Sequence, residues 1–214
     1  MTAGARILLF AKAPEPGLVK TRLAGVLGAE GAARLYKDMA LRCIANACGA
    51  LPGAVELWCS PDATHPFFRE CAAQWGVALR EQGRGDLGNR MSEALQEVMR
   101  TSAVVLLMGT DVPSITANDI NAAAVALRSG KDAVFVPTED GGYGLIGLRR
   151  HDVRLFGSID WSTGAVMEQT RRRLKEMAWD WSELPSRWDV DAPEDLSRLA
   201  GLPGFGALAH TPAA

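Results

Sequence analysis

The feature that most constrains this chain is a run of apolar residues near its middle that ends on an acid. Residues 103–108 read Ala-Val-Val-Leu-Leu-Met, and Gly-Thr-Asp-Val-Pro follows, in which the acid is Asp111. A run that is apolar at every position is typical of a strand buried on both faces of a parallel sheet, and the closing Gly and Pro favour a strand over a buried helix. Ligands of open α/β sheets bind beyond the carboxyl ends of the strands, so Asp111 is a candidate functional carboxylate. The alternative is that Asp111 only begins a turn.

Strand and helix patterns alternate along the rest of the chain. Apolar runs predict strands at residues 6–11, 54–59, 77–81, 103–108, 132–137, 143–148 and 179–184. Three-and-four spacing of apolar residues predicts helices at 30–51 and 87–100, and a capping-box-like start at Thr116 predicts one that reaches 128. Further helices are predicted at 66–75, ending near 177, and opening at 191. The five residues between the strands at 132–137 and 143–148 suit a hairpin, which predicts one antiparallel strand. The alternation indicates repeated βαβ units.

Composition limits the classes of protein. The chain has 214 residues, 48% of them hydrophobic, which suits one domain over residues 1–200 followed by a loosely held tail at 201–214. A net charge of -2 argues against nucleic acid as a partner. No apolar run approaches the roughly 20 residues that span a bilayer, and the apolar stretch at 7–11 is too short for a signal peptide, so a cytoplasmic protein is expected. The four cysteines contain no C-x-x-C pair and are predicted to be reduced core residues.

The loop after the first strand carries three cations around two prolines and a glycine. Lys12, Lys20 and Arg22 are placed where α/β proteins bind phosphates, through backbone N–H groups and basic side chains. The loop matches neither the G-x-x-x-x-G-K-S/T phosphate loop nor the G-x-G-x-x-G dinucleotide pattern, which argues against an ordinary ATPase or dehydrogenase. A solvated basic loop is the alternative.

Two glycine turns and a tryptophan are further candidates. The turn with Gly85, Asp86, Gly88 and Arg90 precedes a predicted helix, and its glycines would admit a flat ring or a sugar close to the backbone, although an ordinary loop has the same composition. The second turn contains Asp140, Gly141, Gly142 and Tyr143, and Asp-Gly is also the strongest hairpin signal. Trp161 lies at a predicted strand-to-helix junction and is a candidate pocket residue.

Two carboxylates lie at alternate positions ahead of the last predicted helix. In an extended segment Asp189 and Asp191 point to the same side, where together with Asp111 they would bind a hard divalent cation through oxygen atoms. The alternative is structural. Asp191 is a good helix N-cap, with Pro193 in the first turn and Glu194 as the reciprocal cap.

Taken in order, these stretches resemble the radical-SAM/selenodomain-associated transferases, a bacterial family with a glycosyltransferase-A-like fold. The matching residues run through nearly the whole chain: 10–14, Gly17, 20–23, 85–88, 90–91, 109–113, 139–143, 161–163, 189–191 and 193–196. The resemblance implies an α/β fold of the nucleotide-diphospho-sugar transferase type, a three-layer α/β/α sandwich with a mixed, mainly parallel sheet. It departs at Gly109-Thr110-Asp111, where many glycosyltransferases have Asp-x-Asp.

The resemblance also implies roles for the candidate residues. Phosphates would be held by Lys12, Lys20 and Arg22, and base or ribose by the turn of Gly85, Asp86, Gly88 and Arg90. Mg²⁺ or Mn²⁺ would be bound by Asp111 with Asp189 or Asp191. A small-molecule acceptor would meet Asp140, Gly141, Gly142, Tyr143 and Trp161. Lys20, Arg22 and Asp111 would be the catalytic residues.

Three functions remain open from the sequence. The first is metal-dependent transfer of a sugar from a nucleoside diphosphate sugar to an acceptor. The second is nucleotidyl transfer, in which the cations and the metal stabilise pyrophosphate as it leaves a nucleoside triphosphate, and the Lys-Thr-Arg-Leu segment at 20–23 favours it because related guanylyltransferases carry a similar basic loop. The third is a nucleotide-sugar-binding module without turnover.

Overall fold

The structure, a computed structural model, describes residues 4–206. Its strands are β1 (Arg6–Lys12), β2 (Val55–Ser60), β3 (Ala78–Glu81), β4 (Val105–Gly109), β5 (Ala133–Pro137), β6 (Tyr143–Leu148) and β7 (Trp181–Glu183). Its α-helices are α1 (Ala24–Ala50), α2 (Pro66–Trp75), α3 (Leu87–Met99), α4 (Ala117–Arg128), α5 (Val166–Glu176) and α6 (Asp195–Leu199), with short 3₁₀ turns at Thr21–Leu23 and Val153–Leu155. Every predicted strand and helix is present.

The largest difference from the predicted elements is at the start of α1. The predicted helix begins at residue 30, whereas α1 begins at Ala24 and is interrupted at Gly28, whose φ is 69°. The apolar spacing did not predict the first turn of α1, because the positive φ of Gly28 breaks the helix there and shifts the positions of the apolar residues before it. Leu23 belongs to a separate apolar cluster that also contains Met39 and Phe205, and Leu27 packs against it.

The strands form one mixed sheet in the order β3-β2-β1-β4-β6-β5-β7. The strand β6 runs antiparallel to β4 and β5, and the other neighbouring pairs are parallel. The predicted hairpin and the mainly parallel sheet are thus confirmed. Because β1 lies between β2 and β4, the chain reverses its direction of winding there, which makes the carboxyl ends of β1 and β4 the topological switch point of the sheet.

Helices cover both faces of the sheet, as the three-layer prediction requires. On β4, Leu106 and Met108 are buried in the cluster that includes α1 and α4, whereas Val105 and Leu107 are buried in the cluster that includes α3 and α5. The central run is therefore buried on both faces, which is why it has no polar residue.

The ends of the chain and the cysteines complete the fold. The four cysteines are free thiols, and three of them are fully buried.

At the start of the predicted tail, Phe205 is buried against the α1 side and Arg42 donates to the carbonyl of Pro203. Residues 1–3 and 207–214 lie outside the described part of the chain. Within residues 4–206, none of the helices has the length and apolar character needed to cross a bilayer.

Candidate active site

A cleft of about 610 Å³ lies at the switch point of the sheet, beyond the carboxyl ends of β1 and β4. It collects side chains from segments that are far apart in sequence. The predicted site residues that line it are Lys12, Lys20, Arg22, Arg90, Asp111, Asp140, Gly142, Tyr143, Trp161, Asp189 and Asp191. Gly85, Asp86, Gly88 and Gly141 are not among the residues that line this cleft.

The centre of the cleft is a lysine held between two carboxylates. The Nζ atom of Lys20 lies 3.1 Å from Oδ1 of Asp111 and 2.8 Å from Oδ1 of Asp191. The lysine side chain is only 6% exposed, whereas the two aspartates are about half exposed to the cleft. Burial alone would lower the pKa of Lys20, but the two carboxylates offset it and the pKa is raised. Lys20 is therefore charged, and it occupies the position from which one cation reaches both acids.

The backbone around Lys20 is unusual, and two more cations lie near it. Lys20 has φ 46° and ψ 42°, a left-handed conformation that is uncommon for a residue with a side chain. Arg22 follows in the 3₁₀ turn, 77% exposed, with its guanidinium 3.8 Å from the second carboxylate oxygen of Asp191. Lys12 is exposed at the end of β1. The loop thus presents three cations to one side of the cleft.

Asp191 does not cap a helix. The helix α6 begins at Asp195, and the Asp195 carboxylate accepts from the backbone N–H groups of Asp191 and Ala192. The capping alternative for Asp191 is wrong, because its carboxylate is bonded to Lys20 and a different acid satisfies the turn.

Asp189 lies beside a second acid. Partial burial, together with the charges of Asp140 and Asp191, raises the pKa of Asp189 to about 6. The Asp140 carboxylate accepts from the hydroxyl of Thr138 and from the N–H of Gly142, 3.0 Å away, so it is fixed by its own hairpin. Carboxylates therefore extend from the centre of the cleft toward β6.

Two carboxylates that share one cation form a suitable donor set for Mg²⁺ or Mn²⁺. Magnesium is usually held by one or two protein carboxylates, with water and substrate phosphates completing the octahedron. Asp111 and Asp191 meet this description, since the Lys20 ammonium already bridges them. Within residues 4–206, no group of three His, Cys, Asp or Glu residues converges into a complete metal site. The chain's own residues thus fit a metal that is shared with substrate.

Tyr36 is a buried residue of the site that the sequence patterns did not distinguish from the core. Its hydroxyl accepts from the backbone N–H of Lys12 at 2.7 Å and is hydrogen-bonded to the Thr110 hydroxyl at 2.8 Å. These bonds connect the ends of β1 and β4 to α1 directly behind Asp111. Because Tyr36 lies on the apolar face of α1, the sequence pattern did not distinguish it from the core residues of that helix.

The glycine turn before α3 is built by local and tertiary packing. Asp86 is the N-cap of α3 and accepts from the N–H of Asn89. A Cβ on Gly88 would lie 2.3 Å from the indole nitrogen of Trp161. Gly88 is therefore required for the close approach of Trp161, and Arg90 is the predicted residue of this turn that lines the cleft.

The far side of the cleft is formed by the hairpin turn and the segment before α5. A Cβ on Gly141 would lie 2.1 Å from the carbonyl oxygen of Gly164, so this glycine lets the two segments pack together. Tyr143 and Trp161 meet edge to face, with ring centroids 6.4 Å apart. Tyr143 and Trp161 give this side an aromatic wall, and Asp140 and Gly142 line it next to the acids.

The fold and the cleft define a protein of the nucleotide-diphospho-sugar transferase type, and comparison with known proteins supports this class. A solved structure from Desulfovibrio desulfuricans G20, assigned to the nucleotide-diphospho-sugar transferases, superposes with a TM-score of 0.85 and 30% identity over 97% of this chain and 94% of that one. Residues 43–163 match the family described as "Uncharacterized protein conserved in bacteria (DUF2064)". The chain belongs to this family, and it is a transferase.

Two other similar proteins differ in the group that they transfer. The 3-phospho-D-glycerate guanylyltransferase of Phenylobacterium zucineum (strain HLK1) is 31% identical over 190 residues, which are 86% of this chain and 85% of that protein. Glucosyl-3-phosphoglycerate synthase from Mycobacterium tuberculosis, solved with Mn²⁺, UDP and glucosyl-3-phosphoglycerate, is 13% identical with a TM-score of 0.53 over 90% of this chain and 74% of that one. At that identity the second likeness concerns the fold alone.

Proposed function

We propose that this transferase is a nucleotidyltransferase that moves the guanylyl group of GTP onto a phosphate of a small acceptor, for which 3-phospho-D-glycerate is the first candidate. The observation that carries the proposal is the convergence of Asp111 and Asp191 on one cation, beside a loop with two further cations. The guanylyltransferase from Phenylobacterium zucineum supports the choice of nucleotide and acceptor.

The proposed reaction exchanges one phosphoanhydride bond for another. An ionised phosphate oxygen of the acceptor attacks the α-phosphorus of GTP, and the bond from that phosphorus to the bridging oxygen breaks. Pyrophosphate leaves with the electron pair, and no proton has to move. Lys12, Lys20 and Arg22 hold the β- and γ-phosphates and stabilise the charge that grows on the leaving group. Electrostatic stabilisation of this kind is expected to contribute most of the rate enhancement in phosphoryl-group chemistry.

Asp111 and Asp191 would hold Mg²⁺ or Mn²⁺, and Asp189 lines the cleft with them. A bound Mg²⁺ or Mn²⁺ supplies positive charge at the α-phosphate and the leaving group. Lys20, which contacts both carboxylates, would contribute its own positive charge to the phosphates. The acceptor lies on the far side of the cleft against Asp140, Gly142, Tyr143 and Trp161.

Sugar transfer is the second candidate function. The Desulfovibrio desulfuricans protein, at 30% identity, is assigned to the nucleotide-diphospho-sugar transferases, and the same cations would stabilise a nucleoside diphosphate leaving group. We also propose, from the ordered motifs, that the chain is of the radical-SAM/selenodomain-associated type. Both candidates act on soluble nucleotides, in agreement with the cytoplasmic placement that we propose from the sequence.

A product assay separates these functions. The protein is incubated with Mg²⁺ or Mn²⁺, GTP and 3-phospho-D-glycerate, and in parallel with GDP-sugars, and the products are measured as pyrophosphate, GDP and mass. Pyrophosphate release with a guanylylated acceptor is the expected result. Release of GDP from a GDP-sugar with a glycosylated acceptor would instead establish sugar transfer. Binding without either product would establish a nucleotide-binding module.

A further inference from the structure

A glutamine that the sequence motifs did not include holds Arg90 at the edge of the cleft next to the glycine turn before α3. Gln82 lies in the turn after β3, and its amide nitrogen donates to the carbonyl oxygen of Ala11 at 3.3 Å and to that of Trp58 at 2.9 Å. These carbonyls belong to β1 and β2, so the amide is fixed to the sheet. Its oxygen accepts from Nη1 of Arg90 at 2.9 Å.

The arginine is positioned but not neutralised. Its Nε donates to the carbonyl of Asp86 at 3.4 Å, so two of its five N–H groups are used. Within residues 4–206, Nη2 of Arg90 has no hydrogen-bond partner, and no carboxylate forms an ion pair with Arg90. Arg90 and Gln82 both line the cleft, and apolar side chains of Leu87 and Phe10 line it beside them. The free N–H groups of the Arg90 guanidinium are thus held in a fixed orientation at the edge of the cleft, next to apolar side chains.

We propose that Arg90, oriented by Gln82, donates to O6 and N7 of a guanine base and thereby selects guanine over adenine. The proposal rests on the proposed nucleotidyl transfer and adds the residue that determines the choice of base. Guanine presents two adjacent acceptors on this edge, which a guanidinium binds with two parallel hydrogen bonds. Adenine keeps N7 but presents an amino donor in place of O6, which would face one N–H of Arg90 and leave that N–H and the amino group without partners.

Gln82 acts as the positioning residue. The long arginine side chain has many rotamers, and a single orientation is needed for a two-point contact. Because the amide nitrogen of Gln82 is bonded to two backbone carbonyls, its oxygen must face away from the sheet and toward Arg90. An aliphatic residue at position 82 would keep the arginine but remove the hydrogen bond that fixes the orientation of its guanidinium.

Base analogues test the contact on the ligand side. Equilibrium binding of GTP, ITP, 7-deaza-GTP, ATP and CTP is measured with Mg²⁺ by calorimetry. ITP keeps O6 and N7 and should bind as tightly as GTP, whereas 7-deaza-GTP lacks N7 and should bind roughly tenfold more weakly, with ATP weaker by at least as much. Equal affinity for GTP and 7-deaza-GTP, or tighter binding of CTP than of GTP, would overturn the proposal.

Three variants test it on the protein side. Arg90→Met should abolish the difference in affinity between GTP and 7-deaza-GTP, because GTP loses the contacts to O6 and N7 whereas 7-deaza-GTP loses only the contact to O6, a pattern that misfolding would not produce. Gln82→Leu should also reduce the ratio of the affinity for GTP to the affinity for 7-deaza-GTP. Arg84→Met is the matched control, since Arg84 is exposed in the same turn and does not line the cleft. An unchanged ratio in Arg90→Met would overturn the assignment.

The outcome also distinguishes this proposal from the proposed function. Pyrophosphate release from all triphosphates at equal rates would leave nucleotidyl transfer intact and overturn the base selection alone. No binding of any triphosphate to the wild type would overturn both.

Discussion

The ammonium nitrogen of Lys20 lies 2.8 Å from a carboxylate oxygen of Asp191, although 171 positions separate the two residues in the sequence. The same nitrogen is 3.1 Å from Asp111, so one buried cation joins the loop after β1, the end of β4 and the segment before α6. Without a counter-charge the two acids would repel each other. Lys20 therefore stabilises the arrangement that the proposed divalent cation would use, and it would compete with that cation.

Substituting Lys20 should separate these two effects. In Lys20→Met, Mn²⁺ alone should bind about tenfold more tightly than in wild type, because no ammonium competes for the carboxylates, while GTP should bind more weakly because a phosphate contact is lost. Electron paramagnetic resonance of Mn²⁺ and calorimetry measure the two affinities. Lys12→Met is the comparison, since Lys12 does not contact either acid and should weaken only GTP. Weaker Mn²⁺ binding in Lys20→Met would contradict this account.

The two carboxylates should act as a unit. Asp111→Asn and Asp191→Asn should each lower Mg²⁺-dependent GTP binding by about 100-fold or more, since even indirect partners of metal ligands contribute up to that amount, and the double variant should be little worse than either. Binding titrations with Mg²⁺ and with EDTA provide the measurement. Asp38→Asn, on the exposed face of α1, serves as the control. Additive losses would show that the acids do not share one cation.

Tyr36→Phe should destabilise the site without exposing any new surface. The substitution removes the acceptor of the Lys12 N–H and leaves that part-buried backbone group unpaired, at a cost of about 1–2 kcal/mol. Urea unfolding measures the change. In Tyr143→Phe the stability should change by less than about 0.5 kcal/mol, because no hydrogen bond of the Tyr143 hydroxyl is found in the described part of the chain. Equal losses in both variants would contradict the role of Tyr36.

Gly88→Ala tests whether this glycine serves packing or nucleotide binding. The added methyl group would press on the indole of Trp161 and should cost about 1–3 kcal/mol of stability. Combining it with Trp161→Leu should recover most of that loss, since the smaller side chain leaves room. Thermal unfolding of the two single variants and the double variant forms the cycle. Failure of the second substitution to relieve the first would contradict the packing of Gly88 against Trp161 as the cause of the loss.

Acid should weaken the fold through Asp119. Burial alone would raise the pKa of this carboxyl, but hydrogen bonds from Arg187 and Thr116 lower it below its usual value near 3.8. A lowered folded-state pKa means that its stabilisation is complete above about pH 4 and is lost as the pH falls through the folded-state value. Asp119→Asn should cost about 3 kcal/mol at pH 7, because Arg187 loses its partner, and less at pH 3, where part of that stabilisation is already lost.

Urea unfolding at pH 7 and pH 3 measures both numbers. Arg187 immediately precedes the segment of Asp189 and Asp191, and its guanidinium bonds both oxygens of Asp119 at 2.6 and 3.1 Å. Asp119→Asn should therefore also loosen the proposed metal carboxylates, visible as weaker Mn²⁺ binding. An equal loss of stability at both pH values would contradict the assigned pKa direction.

Local patterns in the sequence were sufficient for the elements of the fold. Apolar runs and helical spacing located all seven strands and six helices, and the Asp-Gly-Gly turn indicated the antiparallel strand that the sheet contains. The start of α1 was missed because Gly28 interrupts the periodicity. The cations of the first loop and the acid after β4 could be predicted from the sequence as candidate site residues. Each is a charged side chain next to the end of a strand, and this is visible without knowledge of the tertiary contacts.

The sequence did not predict which residues that are far apart in the chain are in contact. Asp191 had the local pattern of a helix cap, but its carboxylate is bonded to Lys20. Asp86 caps α3, and its role toward base or ribose stays a prediction. Tyr36 and Gln82 carried no motif, since their hydroxyl and amide find partners on other strands.

The sequence by itself thus determined the α/β class and the types of charge in the site. Only the tertiary structure decided which acids share a cation, because strand order and the packing of α1 and α3 set distances of a few ångströms between residues far apart in the chain.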